Sequence, residues 1–259
     1  VGAAAFATIV SQILSAVLCI RKLRREPEAF RLSFRELRMD GNMLRLIVVN
    51  GIPAGIQNSI IAVANVFVQS NINQFGALAM AGCGSYSKIE GFGFIPVTCF
   101  SQALTTFIGQ NLGAKEYDRA KKGAAFGIVC SMTLAELVGV IVYMLIPYLA
   151  AAFDSSAEVV GFATRQAHVE ALFYCFLAFS HCIAGIMRGA GKSAVPMFVM
   201  LVSWCIIRIT YITITVHFIP KIQVIFWAYP LTWSISSIIF LVYFLKADWI
   251  HNFERAEQR

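Results

Sequence analysis

Four ionisable side chains, Lys88, Glu90, Glu136 and Arg208, stand inside stretches of sequence that are otherwise apolar. In hydrocarbon a charged side chain costs roughly 2.5–3.5 kcal/mol or more, so each needs a partner, water or a task. A carboxylate in such a place can carry a proton or a small cation, and a cation can neutralise an acid. Glu170 and His181 are shallower or less costly members of the same set. Lys88 and Glu90 are two residues apart, so on one helix they point to different sides and do not pair. Arg208 is expected to need an acid from a neighbouring helix, Glu136 first and Glu90 second. A structural ion pair and a role in ion transport explain such a pair equally well.

A second pattern is made of amides. Asn58, Asn65 and Gln69 follow i, i+7, i+11, with Asn73 beyond them and Ala62 in the gap, which makes one polar stripe on a helix. Such a stripe can coordinate cations, bind polar groups or line a watery path, and it can equally join helices. The aromatic residues Tyr86, Phe92, Phe94, Tyr174, Trp204 and Trp233 could stack on flat organic cations, or face lipid and core. "GIMRGAGKSAVP", Gly185–Pro196, comes close to a phosphate-cradling loop, but Ile186 occupies the position where that loop requires its first glycine. No strand pattern precedes it. Neither nucleotide binding nor a catalytic group is expected: the four histidines form no ligand spacing, and the seven cysteines lie singly, without a Cys-x-x-Cys pair. The expectation is of no enzyme, no metal and no cofactor apart from a coupling ion.

The elements that hold these residues follow from composition. Hydrophobic residues make up 58% of the 259 and charged ones 14%, against about 25% charged in soluble domains. Seven stretches reach the roughly 20 apolar residues needed to cross a bilayer as a helix: Val1–Ile20, Leu44–Ser70, Ala77–Phe107, Gly123–Ala152, Val159–Met187, Ala194–Phe218 and Ile222–Leu245. The fold class is therefore all-α, a polytopic membrane protein. Pro53 falls near a helix start, whereas Pro96, after "EGFGF", predicts a kink. Gly51-x-x-x-Gly55, Gly123-x-x-x-Gly127 and Gly185-x-x-x-Gly189 predict close helix packing.

The net charge of +7 is a topology signal rather than a sign of nucleic-acid binding. Eight Lys or Arg residues follow the first stretch, four (Lys115, Arg119, Lys121, Lys122) lie in the next loop on that side, and Arg188 and Lys192 lie in the one after. The tail adds Lys246, Arg255 and Arg259, while the opposite connections hold only Arg165 and Lys221. By the positive-inside rule the long basic connection and the C-terminus are cytoplasmic, in the cell (inner) membrane. Within residues 21–43, Phe30, Phe34 and Leu37 recur at helical spacing among arginines, as in an amphipathic surface helix or a plain linker. The expected organisation is 1–20, last helix of an N-terminal lobe lying outside this sequence; 21–43, basic linker; 44–246, six-helix C-terminal lobe; and 247–259, tail.

Three stretches together resemble the multidrug and toxic compound extrusion (MATE) family of antiporters. "GIPAGIQNS" (Gly51–Ser59) is similar to the Gly-x-Pro opening of the first helix in that family's C-terminal lobe. "FIGQNLGAKEYDRAKKGA" (Phe107–Ala124) is similar to its Gly-Gln-x-x-Gly-Ala loop, and "IMRGAGKSAVP" (Ile186–Pro196) to its Arg-Gly-x-Gly-x-x-x-x-Pro loop. The resemblance covers nearly the whole chain. It implies a twelve-helix, two-lobed exporter that expels cationic amphipathic compounds in exchange for H⁺ or Na⁺ by alternating access. Its expected partners are small organic cations, membrane lipids and the other lobe. NorM-like members carry cation-binding acids at two positions that fall here on Ile61 and Leu177, so coupling is expected to rest on an acid in the other lobe or on Glu90. Two rival readings are a lipid-linked oligosaccharide flippase of the same superfamily, which more cationic cavity residues would favour, and a seven-helix receptor. The receptor reading lacks Asp-Arg-Tyr and Asn-Pro-x-x-Tyr motifs.

Overall fold

The structure, a computed structural model, describes residues 2–25, 38–247 and 249. The amphipathic reading of Phe30, Phe34 and Leu37 lies outside the described residues, as do Arg255 and Arg259 of the tail. Every regular element among the described residues is helical: α1 (Gly2–Leu23), α2 (Gly41–Asn73), α3 (Ala77–Gly113), α4 (Tyr117–Ala151), α5 (Ala157–Glu170), α6 (Tyr174–Gly189), α7 (Ala194–Met200), α8 (Arg208–Phe218) and α9 (Ile222–Lys246). A 3₁₀ turn, Ala171–Phe173, joins α5 to α6, and a π-helical segment, Leu201–Ile207, joins α7 to α8. Each joined pair is one span, so among the described residues seven helical stretches are long and apolar enough to cross a membrane.

Two compact units divide the chain, Val1–Ile47 and Val48–Arg259. In the first, α1 exposes Phe6, Ile9, Ile13 and Val17 and ends on Arg21 and Lys22, cations that suit the negative end of the helix dipole. In the second, α3 packs against α4, α5 and α6, while α9 packs against α5, α6 and α8. Its large core gathers side chains such as Ile108, Ile146, Leu177, Ile183 and Trp233. A smaller core joins Val68 and Ile72 of α2 to Cys83, Ile212 and Phe226.

Local chemistry sets the boundaries. Asp40 Oδ1 accepts the N–H of Met43 at 2.8 Å, an N-cap that starts α2 three residues before the apolar stretch begins. Pro53 consequently lies well inside α2 rather than near its start. Likewise α3 continues as helix past Pro96. One lost hydrogen bond is tolerable in a long membrane helix whose other bonds persist. The breaks instead fall at the 3₁₀ turn and the π segment.

"GAGKS" ends α6. Gly191 has φ +73°, its N–H bonds to the Arg188 carbonyl at 3.0 Å, and the Lys192 N–H bonds to the Met187 carbonyl at 2.8 Å. That pair of bonds is a Schellman cap, which needs a left-handed residue after the helix. The glycines before it serve packing: a Cβ on Gly185 would collide with the Ser101 carbonyl, and one on Gly189 with the Thr105 carbonyl. At Gly51 and Gly55, by contrast, nothing among the described residues lies within 4 Å of an added Cβ. The tight packing read from that pair is not found there.

Candidate functional site

Arg208 is the first residue after the π segment, and Glu170 the last before the 3₁₀ turn. Helical irregularities frequently accompany functional sites, because they re-aim a side chain without ending the helix. Both residues are at most 1% exposed. Arg208 lines a cavity of about 310 Å³ together with Asn65 and Gln69 of α2, Glu90 of α3, Gln166 of α5, Trp204 of the π segment and Tyr229 of α9, whereas Glu170 does not line it and is joined to it through Gln166. Residues of both cores also line it, Val68 and Ile72 from the smaller and Trp233 from the larger.

Neutral groups hold the Arg208 guanidinium. Nη2 donates to Thr232 Oγ1 at 2.8 Å and Nη1 to Asn65 Oδ1 at 3.5 Å, while the rings of Tyr229 and Trp204 stand 4.6 and 5.1 Å from its central carbon. Cation–π contacts of this kind stabilise a desolvated cation by about 2 kcal/mol. The ion pair expected from sequence is not made. Glu136 is elsewhere: its Oε2 accepts the N–H of Cys175 at 3.1 Å, in the first turn of α6. A carboxylate there satisfies an amide that the helix itself leaves free, so Glu136 acts as a cap reaching across from α4. Glu90, the second expectation, shares the cavity with Arg208 and interacts with it through charge rather than a direct bond.

Glu170 is the acid least visible in the sequence. Gln166 Nε2 donates to its Oε1 at 2.9 Å, and the carboxyl lies within electrostatic reach of Glu90 and Arg208. Beneath them the hydroxyls of Tyr86 and Tyr174 share a hydrogen bond of 2.9 Å. Four buried polar atoms around this cavity lack a partner among the described residues: Glu90 Oε1, Glu170 Oε2, Gln166 Oε1 and Arg208 Nε. Each such atom costs about 1–3 kcal/mol when left unsatisfied. With both carboxyls ionised, the two acids and one guanidinium carry one net negative charge, which one bound proton or monovalent cation would cancel.

The other sequence candidates fall in different places. Asn65 and Gln69 line this cavity, and Gln69 also donates to Asn73 at 2.9 Å, so the outer part of the amide stripe holds together. Asn58 lines a second cavity, nearer the "RGAGKS" turn. Lys88 is exposed and lines neither cavity. Glu170, read from the sequence as a shallower member of the ionisable set, is further marked by its i, i+4 spacing from Gln166.

Comparison with known proteins identifies the lineage. The MatE family model matches residues 53–214. The chain is 24% identical over 246 residues to "Probable multidrug resistance protein YoeA" of Bacillus subtilis (strain 168), covering 93% of this chain and 53% of that protein. It is 24% identical over 254 residues to "Probable multidrug resistance protein NorM" of Thermotoga maritima, covering 96% and 54%. It thus spans about half the length of these relatives. In fold it matches a crystal structure of "MATE in complex with MaL6" with a TM-score of 0.86 at 17% identity, covering 97% of this chain and 57% of that one. A second match is a transporter of the MOP superfamily from Pyrococcus furiosus, described as having reverse polarity of its binding pocket, with a TM-score of 0.73 at 19% identity, covering 82% and 48%. The chain is a multi-pass membrane protein and belongs to the MatE family.

Proposed function

We propose that this chain is the C-terminal lobe of a secondary multidrug exporter of the cell (inner) membrane, with its basic linker and C-terminus cytoplasmic. The full-length protein expels cationic amphipathic compounds in exchange for H⁺ or Na⁺ by alternating access. The observation that carries the reading is Glu90 and Arg208 on one cavity, with Glu170 bonded to the lining residue Gln166 and an unpartnered oxygen on each acid among the described residues. A proton or sodium ion entering there cancels the residual negative charge, and an organic cation would compete for the same charge. Competition of ion and drug for one charge is one way to make their binding mutually exclusive, as antiport needs. Trp204 and Tyr229 offer ring faces for a flat cation, although both now face Arg208. Family membership removes the receptor reading, and the names of the relatives give multidrug resistance rather than a flippase.

The test is ethidium efflux from a pump-deficient bacterium expressing the full-length protein. Glu90→Gln, which keeps the shape and removes the charge, is expected to abolish gradient-dependent efflux while the protein still reaches the membrane. Efflux at the wild-type rate in that variant would defeat the proposal.

A further inference from the structure

Between α2, α3 and α6 lies the second cavity, about 540 Å³ in volume, and its chemistry is the opposite of the first. Among the described residues Arg188 is its one lining residue with a fixed charge, and no Asp or Glu lines it. The guanidinium makes one hydrogen bond among the described residues, from Nη2 to Ser101 Oγ at 3.0 Å. The Ser101 hydroxyl in turn donates to the His181 carbonyl at 2.6 Å, so toward Arg188 it can only accept. This relay holds the guanidinium against the wall and leaves most of its five N–H donors unused. The close approach of α6 to α3 at Gly185 brings the two residues together.

Three further donors remain at the cavity. Thr98 and Thr105 direct their hydroxyl protons to backbone carbonyls, so they offer only lone pairs. The amides of Gln57, Asn58 and Gln102 stay available. Gln57 is the telling one: it is 5% exposed, and its buried Oε1 has no partner among the described residues. That orphan oxygen is an acceptor, so beside a cation without an acid it calls for an absent group that also carries a donor, such as a P–OH or a hydroxyl on an organic body, while the amide's NH₂ faces the same group as a donor. Arg188 and the amides present fork-shaped and paired donors, which suit a planar or tetrahedral oxyanion.

We propose that the Arg188 cavity binds an oxyanion group, a phosphate, sulfonate or carboxylate, carried on a small organic body. The cavity is several times larger than a bare phosphate, and Ala54 and Ile61 supply apolar wall for the rest of the molecule. Ile61 also lines the Arg208 cavity, so the two compartments meet at one side chain. His181, on the wall of the Arg188 cavity, packs against Trp204 of the other at 5.7 Å between ring centres. The lobe thus carries an acid-bearing compartment and an acid-free one. Binding at the second does not depend on whether coupling occurs at Glu90.

The test uses purified full-length protein in phosphatidylcholine nanodiscs and equilibrium binding of radiolabelled phenyl phosphate. Saturable binding is expected, weakened on the order of ten- to a hundredfold by Arg188→Gln and severalfold by Gln57→Leu, since a charge-assisted hydrogen bond outweighs a neutral one. Arg188→Lys, which keeps the charge, should retain part of the affinity. A second arm replaces part of the phosphatidylcholine with phosphatidylglycerol. Competition that vanishes in Arg188→Gln identifies a lipid headgroup as the natural oxyanion, and absence of competition identifies a soluble one; both support the site. If Arg188→Gln fails to fold, Gln57→Leu decides. Absence of any phenyl phosphate binding or lipid competition would overturn the proposal, as would binding that both variants leave unchanged.

Discussion

Gly185→Ala inserts one methyl group where α6 crosses α3, and the expected loss can be worked from the contact. The new Cβ would meet the Ser101 carbonyl oxygen and carbon and the Ser101 hydroxyl. Backbone atoms of a membrane helix cannot swing aside like the end of a side chain, so the helices must separate. Overpacking of this kind costs about 1–3 kcal/mol. Separation also stretches the hydrogen bonds that cross the contact: Thr105 to the Gly185 carbonyl at 3.0 Å, Ser101 to the His181 carbonyl at 2.6 Å and Arg188 to Ser101 at 3.0 Å. Each bond contributes about 0.5–1.5 kcal/mol. Helix propensity works the other way, because Ala is better than Gly by about 1 kcal/mol. The net expectation is a destabilisation of about 2 kcal/mol, read by reversible unfolding of the full-length protein in mixed micelles. Gly84→Ala is the control: Gly84 is exposed on the same helix as Ser101, and nothing lies within 4 Å of its added Cβ. It should be neutral or stabilising. Equal stability of the Gly185 and Gly84 variants would refute the argument.

Other expectations follow from the same geometry. Lys115 ends α3 at φ +61°, with the Glu116 N–H bonded to the Asn111 carbonyl at 2.8 Å in a Schellman cap, so Lys115→Gly should stabilise by about 1 kcal/mol in the same unfolding experiment. Glu136→Ala should cost about 1–2 kcal/mol by freeing the Cys175 amide, whereas Glu136→Gln should recover most of it and both should keep ion-coupled efflux. Loss of coupling in Glu136→Gln would show that its carboxylate does more than cap α6.

Periodic features are legible in the amino-acid sequence itself. Seven apolar stretches correspond to seven spans, and the stripe of Asn58, Asn65 and Gln69 faces cavities because helix geometry alone carries residues at i, i+7 and i+11 to one side. The "GAGKS" turn is recognisable as a connection because its glycines are out of register for phosphate binding. What stays hidden depends on three-dimensional neighbours. Arg208 reads as a residue in need of an acid, yet Thr232 and two ring faces meet its needs from α9 and the π segment. No spacing rule marks Leu201–Ile207 as π-helical. Glu136 and Glu90 are equivalent as sequence, and only the position of the α6 start separates a capping acid from a cavity acid. Pro96 lies inside a helix that continues past it, because a proline removes one backbone hydrogen bond without requiring a break.

The central claim is that Glu90, which lines the Arg208 cavity, and Glu170, bonded to its lining residue Gln166, couple an ion gradient to drug movement. Proteoliposomes holding the full-length protein, with ethidium movement driven by an imposed H⁺ or Na⁺ gradient, test it most directly. Gradient-driven transport is expected in the wild type and its loss in Glu90→Gln and in Glu170→Gln, with both variants still reconstituting as folded protein and binding ethidium more weakly. Gradient-driven transport at the wild-type rate in a Glu90→Gln, Glu170→Gln double variant would contradict it.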